Sequence, residues 1–272
     1  MNGHLSLSFE YRGNQTVMTH NQSTLPLRAS NPIHLDEDDA LCVMLLNPTG
    51  GLLGGDSLVT DINLGQAAHV VLTTPSASKV YRTDTDSAVH QTTINVAQSG
   101  VVEYIPDHVI PHPGSSFSQS LVVNLELGSS AIIFDGFSVG RIARAERWLF
   151  KGFATNLEVN VSGKLVCRDR IKIQPNTWIP SGLGGLEDSN YTGTMLVCAG
   201  RDLDWQEMTN NIARLLSETC NAVGAASTLA GGGCLVRYHT ETAHSLNETN
   251  KALWAVARRS LLGKQPVELR KQ

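Results

Sequence analysis

The chain has 272 residues and a formal charge of −4, with 21 Lys and Arg against 25 Asp and Glu. This length can bury one sizeable core, and the weak acidity argues against nonspecific nucleic-acid binding, which needs clustered cations. The five cysteines are widely spaced without a CxxC pair, which argues against a disulfide framework or a structural zinc site. We therefore expect reduced thiols in a cytoplasmic protein, with no signal peptide and no membrane-spanning segment.

Residues 1–200 show mostly a period-two hydrophobic pattern. No helical pattern interrupts it, which disfavours a doubly wound fold, because parallel βαβ units need helical crossovers. A sandwich, a barrel or a β-solenoid remains. Short segments rich in Val and Ile and bounded by Gly, Pro, Asn or Ser predict strands at residues 68–74, 89–97, 101–105, 119–127, 131–134, 157–161, 164–173 and 194–199.

The hydrophobic period changes to three and four near residue 203. This predicts a helix over residues 205–222, with Asp204 and Glu207 imitating a capping box, and a second helix over 246–262 that ends at Gly263. We expect one domain over residues 1–272, composed of a β-rich body over 1–200, a helix–strand–helix region over 201–263 and a flexible tail over 264–272.

The most informative stretch is Asn47-Pro48-Thr49-Gly50-Gly51-Leu52-Leu53-Gly54-Gly55-Asp56. Glycine tolerates positive φ at no steric cost, so the run predicts a tight backbone excursion that ends on a carboxylate. A phosphate-binding loop is excluded because Lys and Ser or Thr do not follow the final glycine.

A second pattern suggests a serine hydrolase. Gly136-Phe137-Ser138-Val139-Gly140 matches the G-x-S-x-G nucleophile elbow, which needs a strand, a sharp turn and a helix. The pattern around Ser138 lacks that helix, so a strand-end turn is favoured over the hydrolase. The triad partners that follow in suitable order are Asp188, Asp202 or Asp204, then His239 and His244.

His108 and His112 have the spacing of a metal-binding pair. Both would face one side of a helix, but the prolines at 106, 111 and 113 exclude a helix there. Solvated or backbone-bonded histidines are therefore favoured over metal ligands.

Three aspartates stand where strands are expected to be buried. Asp56 follows the glycine run, Asp135 ends an apolar strand and Asp169 lies between two arginines. Buried charges need partners. Two interpretations stay open: ion pairs that organise the body, with Arg141 close to Asp135 in sequence, or a polar interior path that passes a cation.

Several segments together carry a family resemblance, in order and spacing, over nearly the whole chain. The chain resembles the urease accessory protein UreD family, and the first two of these segments are long and specific. The segments are the run at 47–56, Leu72-Thr73-Thr74-Pro75-Ser76-Ala77-Ser78-Lys79-Val80-Tyr81-Arg82, Phe134-Asp135-Gly136-Phe137-Ser138-Val139-Gly140-Arg141, Arg168-Asp169-Arg170 and the turn at 182–185.

The resemblance implies a mainly β, β-solenoid-like single body with two α-helices near the C-terminus. It implies a protein that is not an enzyme, but binds urease apoprotein and UreF, with UreG recruited through UreF and two copies of the chain in the assembled complex. It also implies delivery of Ni²⁺ to the urease active site through an internal tunnel, with Ni²⁺ in transit and no tightly bound cofactor.

By the same resemblance, Asp56, Asp135 and Asp169 fall at metal-path positions, with Ser78 and Arg141 lining the path. Asp169 departs from the family pattern, in which Glu is commoner. No role carries over to the two histidines of the 108–112 segment or to the tail. Carboxylates, a hydroxyl and water suit a conduit better than a Cys/His cage, because a conduit must release its ion.

Overall fold

Two β-sheets face each other in the computed structural model, which describes residues 1–35, 39–84, 86–178, 185–218 and 221–269. Strands are numbered in chain order. The first sheet contains β1 (Asn2–Arg12), β2 (Gln15–Ser23), β6 (Ser57–Leu64), β9 (Ala88–Val96), β12 (Ser116–Leu125), β16 (Gly152–Val161) and β17 (Lys164–Ile173). The second sheet contains β3 (Arg28–Ala29), β4 (Ile33–His34), β5 (Leu41–Leu46), β7 (His69–Thr73), β10 (Val101–Ile105), β13 (Ser130–Ser138), β18 (Tyr191–Ala199), β19 (Val223–Thr228) and β20 (Cys234–Thr240).

The chain winds between the two sheets as successive coils. In the first sheet β6, β9, β12 and β16 pair in parallel, and in the second sheet β5, β7, β10 and β13 do the same. The short strands β8 (Ser78–Val80) and β11 (Val109–Pro111) also belong to the second sheet, where β11 pairs in parallel with both β8 and β13. The β-solenoid-like fold is thus confirmed, and parallel strands form here without helical crossovers because each coil turns through a loop.

Period-two alternation positions the core. Ile62, Ile94, Val123 and Val159 occupy matching register positions on adjacent strands and point between the sheets, all fully buried. Burying an aliphatic side chain of this size contributes about 1.5–3 kcal/mol. Stacks of this kind stabilise neighbouring coils against each other.

The outer face of the second sheet is covered by the helices α1 (Trp205–Glu218) and α2 (Ala243–Ala257), and α2 continues as a π-helical turn over Arg258–Leu262. Asp204 caps α1 by accepting a hydrogen bond from the Glu207 amide at 2.8 Å, as predicted. Gly263 ends the second helix at φ 65°, also as predicted.

The first helix was predicted too long, since Ala222 is not helical and Val223 begins an unpredicted strand. That strand, β19, pairs antiparallel with β20 at the edge of the second sheet. It is exposed at most positions, so it lacks the alternation that reveals a strand in sequence.

A buried charge network joins α2 to the second sheet. Glu103 is fully buried and accepts hydrogen bonds from Trp254 Nε1 at 2.5 Å and from Arg258 Nη1 at 3.0 Å. His69 Nε2 lies 2.6 Å from Glu103 Oε1. Burial lowers the pKa of His69, but hydrogen bonds to Asp39 and Glu103 outweigh that effect, and the net pKa is raised.

The segment after Gly263 lies against the body. Lys264 pairs with Asp39, and its Nζ lies 3.3 Å from His69 Nδ1. Val267 and Leu269 pack against the core beneath the helices. The predicted tail therefore has anchored positions up to 269, and residues 270–272 lie outside the described residues.

The cysteines at 42, 167, 198 and 234 are buried and free, while residue 220 and most of the predicted turn at 182–185 lie outside the described residues. Within the part of the chain that the structure describes, no helix is long and apolar enough to cross a membrane.

Candidate functional site

A cavity of about 220 Å³ lies between the two sheets. Exposed residues of the glycine run and of the 74–79 segment line one end, so the cavity opens to solvent there. Its volume is well above the roughly 10–15 Å³ that a single water molecule needs. The cavity is therefore large enough to hold water and a small ion.

The glycine run forms the rim of this opening. Gly50 and Gly55 have φ of 81° and 79°, values that favour glycine. A Cβ on Gly51 would lie 2.6 Å from the Lys79 carbonyl oxygen, and one on Gly54 would lie 1.8 Å from Thr83 Oγ1. Positive φ and close backbone approach together confirm the predicted excursion.

The inward face of the first sheet becomes polar at the cavity. Along β6 and β9 the aliphatic positions give way to Thr60, His90 and Thr92, and β12 contributes Gln119. On the second sheet Tyr104 and Asp135 line the same space. Four of these residues lie between the sheets and are only partly buried, because their side chains face the open space of the cavity. They are His90, Tyr104, Gln119 and Asp135.

Asp135 is one of two aspartates that line the cavity, with Asp107, and it lies between the sheets. Its Oδ1 accepts hydrogen bonds from Gln119 Nε2 at 2.8 Å and from the Gly136 amide at 2.9 Å, and its Oδ2 accepts one from Thr155 Oγ1 at 2.8 Å. Burial raises the pKa of the Asp135 carboxyl, and these three hydrogen bonds offset part of the rise. The network holds an acidic group in the cavity without a counter-charge among its hydrogen-bond partners.

Two titratable neighbours share this space. His90 Nε2 lies 3.0 Å from Thr60 Oγ1 and 3.5 Å from Thr92 Oγ1. Burial lowers the pKa of His90 to about 4, so its imidazole is neutral at pH 7. Burial and the nearby Asp135 charge raise the pKa of Tyr104, which keeps its hydroxyl protonated.

Ser78 also lines the cavity, near its opening on β8. The structure thus places two of the five sequence-predicted site residues, Ser78 and Asp135, around one cavity. The other three lie elsewhere.

Asp56 stands at the start of β6, outside the cavity lining. It is 5% exposed and pairs through Oδ1 with the Met1 ammonium group, while Oδ2 accepts a hydrogen bond from the Leu53 amide at 2.8 Å. In this arrangement Asp56 fixes the end of the glycine run.

Asp169 links the two sheets through an ion pair. It lies on β17 of the first sheet, is 7% exposed and pairs with Arg237 on β20 of the second sheet. The neighbouring arginines point to the outer face, where Arg168 Nε binds Glu158 at 3.0 Å and Arg170 Nε binds Asn156 at 2.7 Å. The buried aspartate therefore has an arginine partner, but one distant in sequence.

Arg141 lies on β14 (Gly140–Arg141) and faces a shallow surface pocket. Its guanidinium forms a two-point ion pair with Glu146, with Nη2 and Oε1 2.7 Å apart. Glu146 lies on β15 (Glu146–Arg147), beyond a 3₁₀ turn over Ile142–Arg144. The suggested pairing of Arg141 with Asp135 is not formed among the described contacts.

Ser138 does not form a nucleophile elbow. It is 1% exposed at the end of β13, and its Oγ donates a hydrogen bond to the Gly140 carbonyl oxygen at 2.9 Å. His239, a proposed triad partner, contacts Ser189 through Nδ1 at 2.6 Å. The strand-end turn is observed, and the geometry does not support a Ser138 hydrolase.

His108 and His112 flank β11 and pack edge-on against different rings, Tyr191 and Tyr81. Four extended residues span about 13 Å, too far for two ligands of one metal ion. Among the described residues, no group of three or more His, Cys, Asp or Glu is arranged to hold a metal ion.

Sequence reasoning missed the polar lining from Thr60, His90, Thr92, Tyr104 and Gln119. The signal was present, because inward positions of β6 and β9 change from aliphatic to polar along each strand. Recognising it required the register that aligns these strands.

Comparison with known proteins identifies the family. The family model described as "UreD urease accessory protein" matches residues 1–272. Curated relatives named "Urease accessory protein UreD" include one from Mycolicibacterium gilvum, 32% identical over 241 residues that cover 87% of this chain and 86% of the relative. Another, from Haloarcula marismortui, is 29% identical over 261 residues, or 96% and 87% of the two chains. The chain belongs to the UreD urease accessory protein family.

Proposed function

We propose that the chain is a noncatalytic maturation factor that binds urease apoprotein and UreF, with UreG recruited through UreF, and offers Ni²⁺ a polar internal route to the urease active site. The observation that supports this most is the cavity between the sheets, which opens at the glycine run and contains Asp135. A nonpolar void would have no means of attracting a divalent cation.

The chemistry of the lining suits passage rather than storage. Oxygen ligands and water bind Ni²⁺ less tightly than a cage of thiolates and imidazoles. A conduit needs an attraction strong enough to admit an ion and weak enough to release it. The lining offers two carboxylates, Asp107 and Asp135, a single imidazole and several hydroxyl and amide groups, and this sparse set of ligands meets both requirements.

The proposed route uses Ser78 near the opening and Asp135 in the interior. Passage through Asp56, Asp169 and Arg141 stays a prediction. It requires their ion pairs to open, since all three residues are held by partners outside the cavity. A route that uses only residues lining the cavity therefore depends on the carboxylate of Asp135.

Replacement of Asp135 by Asn tests the route. The amide keeps the size of the side chain and an oxygen that accepts from Gln119, but removes the charge that attracts Ni²⁺. The chain is coexpressed with UreF, UreG and urease, and partner retention, nickel content and urease activity are measured. We expect unchanged partner binding and a severalfold fall in nickel content and activity.

Asp61→Asn is the matched control, because Asp61 is half-exposed on the opposite face of the first sheet, where it pairs with His4. It should leave all three measurements unchanged. Normal nickel loading with Asp135→Asn would refute the route. Loss of partner binding together with activity would instead favour a purely structural role.

The thermal stability of the Asp135→Asn variant is an independent way to tell a nickel route from a purely structural role of Asp135. Because burial raises the pKa of Asp135, its ionised form is disfavoured in the fold, and stability falls as pH rises through the interval from the ordinary value to the raised one. Above that interval, wild type bears the free-energy cost of burying an ionised carboxylate, whereas the neutral side chain of the Asp135→Asn variant does not. Asp135→Asn should therefore melt no lower than wild type at pH 7.5.

We further propose that the working assembly is cytoplasmic and contains two copies of the chain, with no resident cofactor and no nucleic-acid or membrane partner. Buried free thiols are compatible with a reducing compartment. Light scattering of the coexpressed complex during gel filtration measures the copy number, and a mass that fits a single copy would refute the two-copy arrangement.

A further inference from the structure

The cavity contains an imidazole in addition to the carboxylates of Asp107 and Asp135. His90 is the only histidine among the described residues that line it. It points inward from β9, whereas the other polar side chains of the lining offer oxygen atoms, apart from the amides of Asn47 and Gln119, which also carry nitrogen, and the amine of Lys79. The imidazole therefore gives the cavity a different class of metal ligand.

His90 and Asp135 are connected through one side chain. His90 is the register partner of Gln119 on the neighbouring parallel strand, and adjacent strands lie about 4.8 Å apart. Gln119 Nε2 donates to Asp135 Oδ1 at 2.8 Å. The imidazole and the carboxylate therefore flank one amide and line the same space.

The contacts of His90 distinguish its two ring nitrogens. Within the described residues, its hydrogen-bonding contacts to Thr60 and Thr92 both involve Nε2. When Nε2–H donates to Thr60 Oγ1, the lone pair of the neutral ring is on Nδ1. Histidines that bind metals commonly donate their other N–H to an oxygen in this way.

We propose that His90 Nδ1 and a carboxylate oxygen of Asp135 form a transient two-ligand site for a divalent cation of the nickel class, with water completing the coordination and Thr60 as the positioning residue. The identity of the cargo rests on the proposed function; the site itself rests on the geometry of the cavity. Two protein ligands are fewer than a storage site uses, which agrees with the lack of larger His, Cys, Asp or Glu groups among the described residues.

The imidazole gives the site selectivity. Carboxylate and water alone suit Mg²⁺ and Ca²⁺, whereas imidazole suits nickel and related transition metals. Mg²⁺ also dehydrates reluctantly and binds mainly oxygen. His90 should therefore raise the affinity for Ni²⁺ without raising the affinity for Mg²⁺.

The test is calorimetric titration of the purified full-length chain with NiCl₂ and, separately, with MgCl₂. His90→Gln should weaken Ni²⁺ binding at least about tenfold, since even changes beyond the direct ligands reach that size, and leave Mg²⁺ binding unchanged. His20→Gln, on the exposed part of β2 in the same sheet, is the matched control and should change neither. Unaltered Ni²⁺ binding by His90→Gln, or equal loss of both metals, would overturn the site.

A second variant keeps the imidazole in place. Thr60→Val removes the oxygen opposite Nε2, and its readout is the absorption spectrum of bound Co²⁺, which reports the ligand set. We expect about a tenfold or greater loss of Ni²⁺ affinity and an altered Co²⁺ spectrum. An unchanged spectrum and affinity would count against the positioning role and the proposed tautomer. If His90→Gln does not fold, the Thr60→Val variant still tests whether His90 binds the metal ion.

Urease loading separates the two proposals. If His90→Gln loses Ni²⁺ binding while urease still receives normal nickel, the site stands and the route through the cavity falls. If Asp135→Asn blocks nickel delivery while His90→Gln binds Ni²⁺ like wild type, the route stands and the His90 site falls.

Discussion

Glu103→Gln tests the buried charge network that holds α2 against the second sheet. The substitution keeps the size of the side chain but leaves the Arg258 guanidinium, itself fully buried, without its carboxylate. It also weakens the contacts from Trp254 and His69. Breaking a buried pair by removing one charge costs about 3–5 kcal/mol, since the remaining charge stays desolvated.

That cost predicts a large change in melting temperature. For a chain of about this size, 1 kcal/mol corresponds to roughly 2–4 °C, so we expect Glu103→Gln to lower Tm by about 6–20 °C. The measurement is thermal unfolding of the full chain followed by circular dichroism, with tryptophan fluorescence as a second probe that includes Trp254.

Glu248→Gln is the matched control. Glu248 pairs with Lys251 at 3.0 Å on the exposed face of α2, where solvent screens the interaction. Its Tm should match wild type. Adding Arg258→Met to Glu103→Gln should restore part of the lost stability, because it removes the buried charge that has lost its carboxylate partner Glu103. A Glu103→Gln variant that melts within error of wild type would refute the assigned role of the network.

Three further outcomes follow from the contacts. Because the folded pKa of His69 is raised, its contribution to stability is complete below its ordinary pKa of 6.5 and lost as pH rises through the raised value; wild type should lose more stability than His69→Asn between pH 6 and 9, and parallel profiles would exclude this linkage. Gly54→Ala places a Cβ 1.8 Å from Thr83 Oγ1 and should lower the free energy of unfolding in urea by about 1–3 kcal/mol. An unchanged unfolding midpoint would show that the rim of the cavity rearranges to accept the methyl group. Ser138→Ala removes one buried hydrogen bond, worth about 0.5–1.5 kcal/mol, and should preserve nickel delivery and background ester hydrolysis, whereas a lost esterase activity would revive the hydrolase.

Local sequence patterns were enough to locate most elements. Val101–Ile105 and Lys164–Ile173 have their predicted bounds, and both helices lie where the period changes from two to three and four. These features depend on residues within a few positions of each other, where alternation, caps and glycines act directly. The edge strand at Val223–Thr228 was missed because its burial does not alternate.

The site depended on contacts that no local pattern contains. Sequence proximity suggested Arg141 for Asp135, but Arg141 pairs with Glu146 across a short turn, and Asp135 is satisfied by Gln119 and Thr155. Asp169 found its partner in Arg237, 68 positions away on the other sheet. The partners of Asp135 and Asp169 are therefore set by the strands that the winding of the chain brings together.

The sequence by itself determined a β-rich chain with two C-terminal helices and a glycine-rich excursion, since these arise from short-range sterics and hydrophobic alternation. Only the tertiary structure decided that His90, Gln119 and Asp135 line one cavity. The physical reason is register: parallel coils stack residues about 30 positions apart at the strand spacing of about 4.8 Å. Which polar residues share an interior space is therefore fixed by coil length and pairing, and not by the residues that surround each of them in the chain.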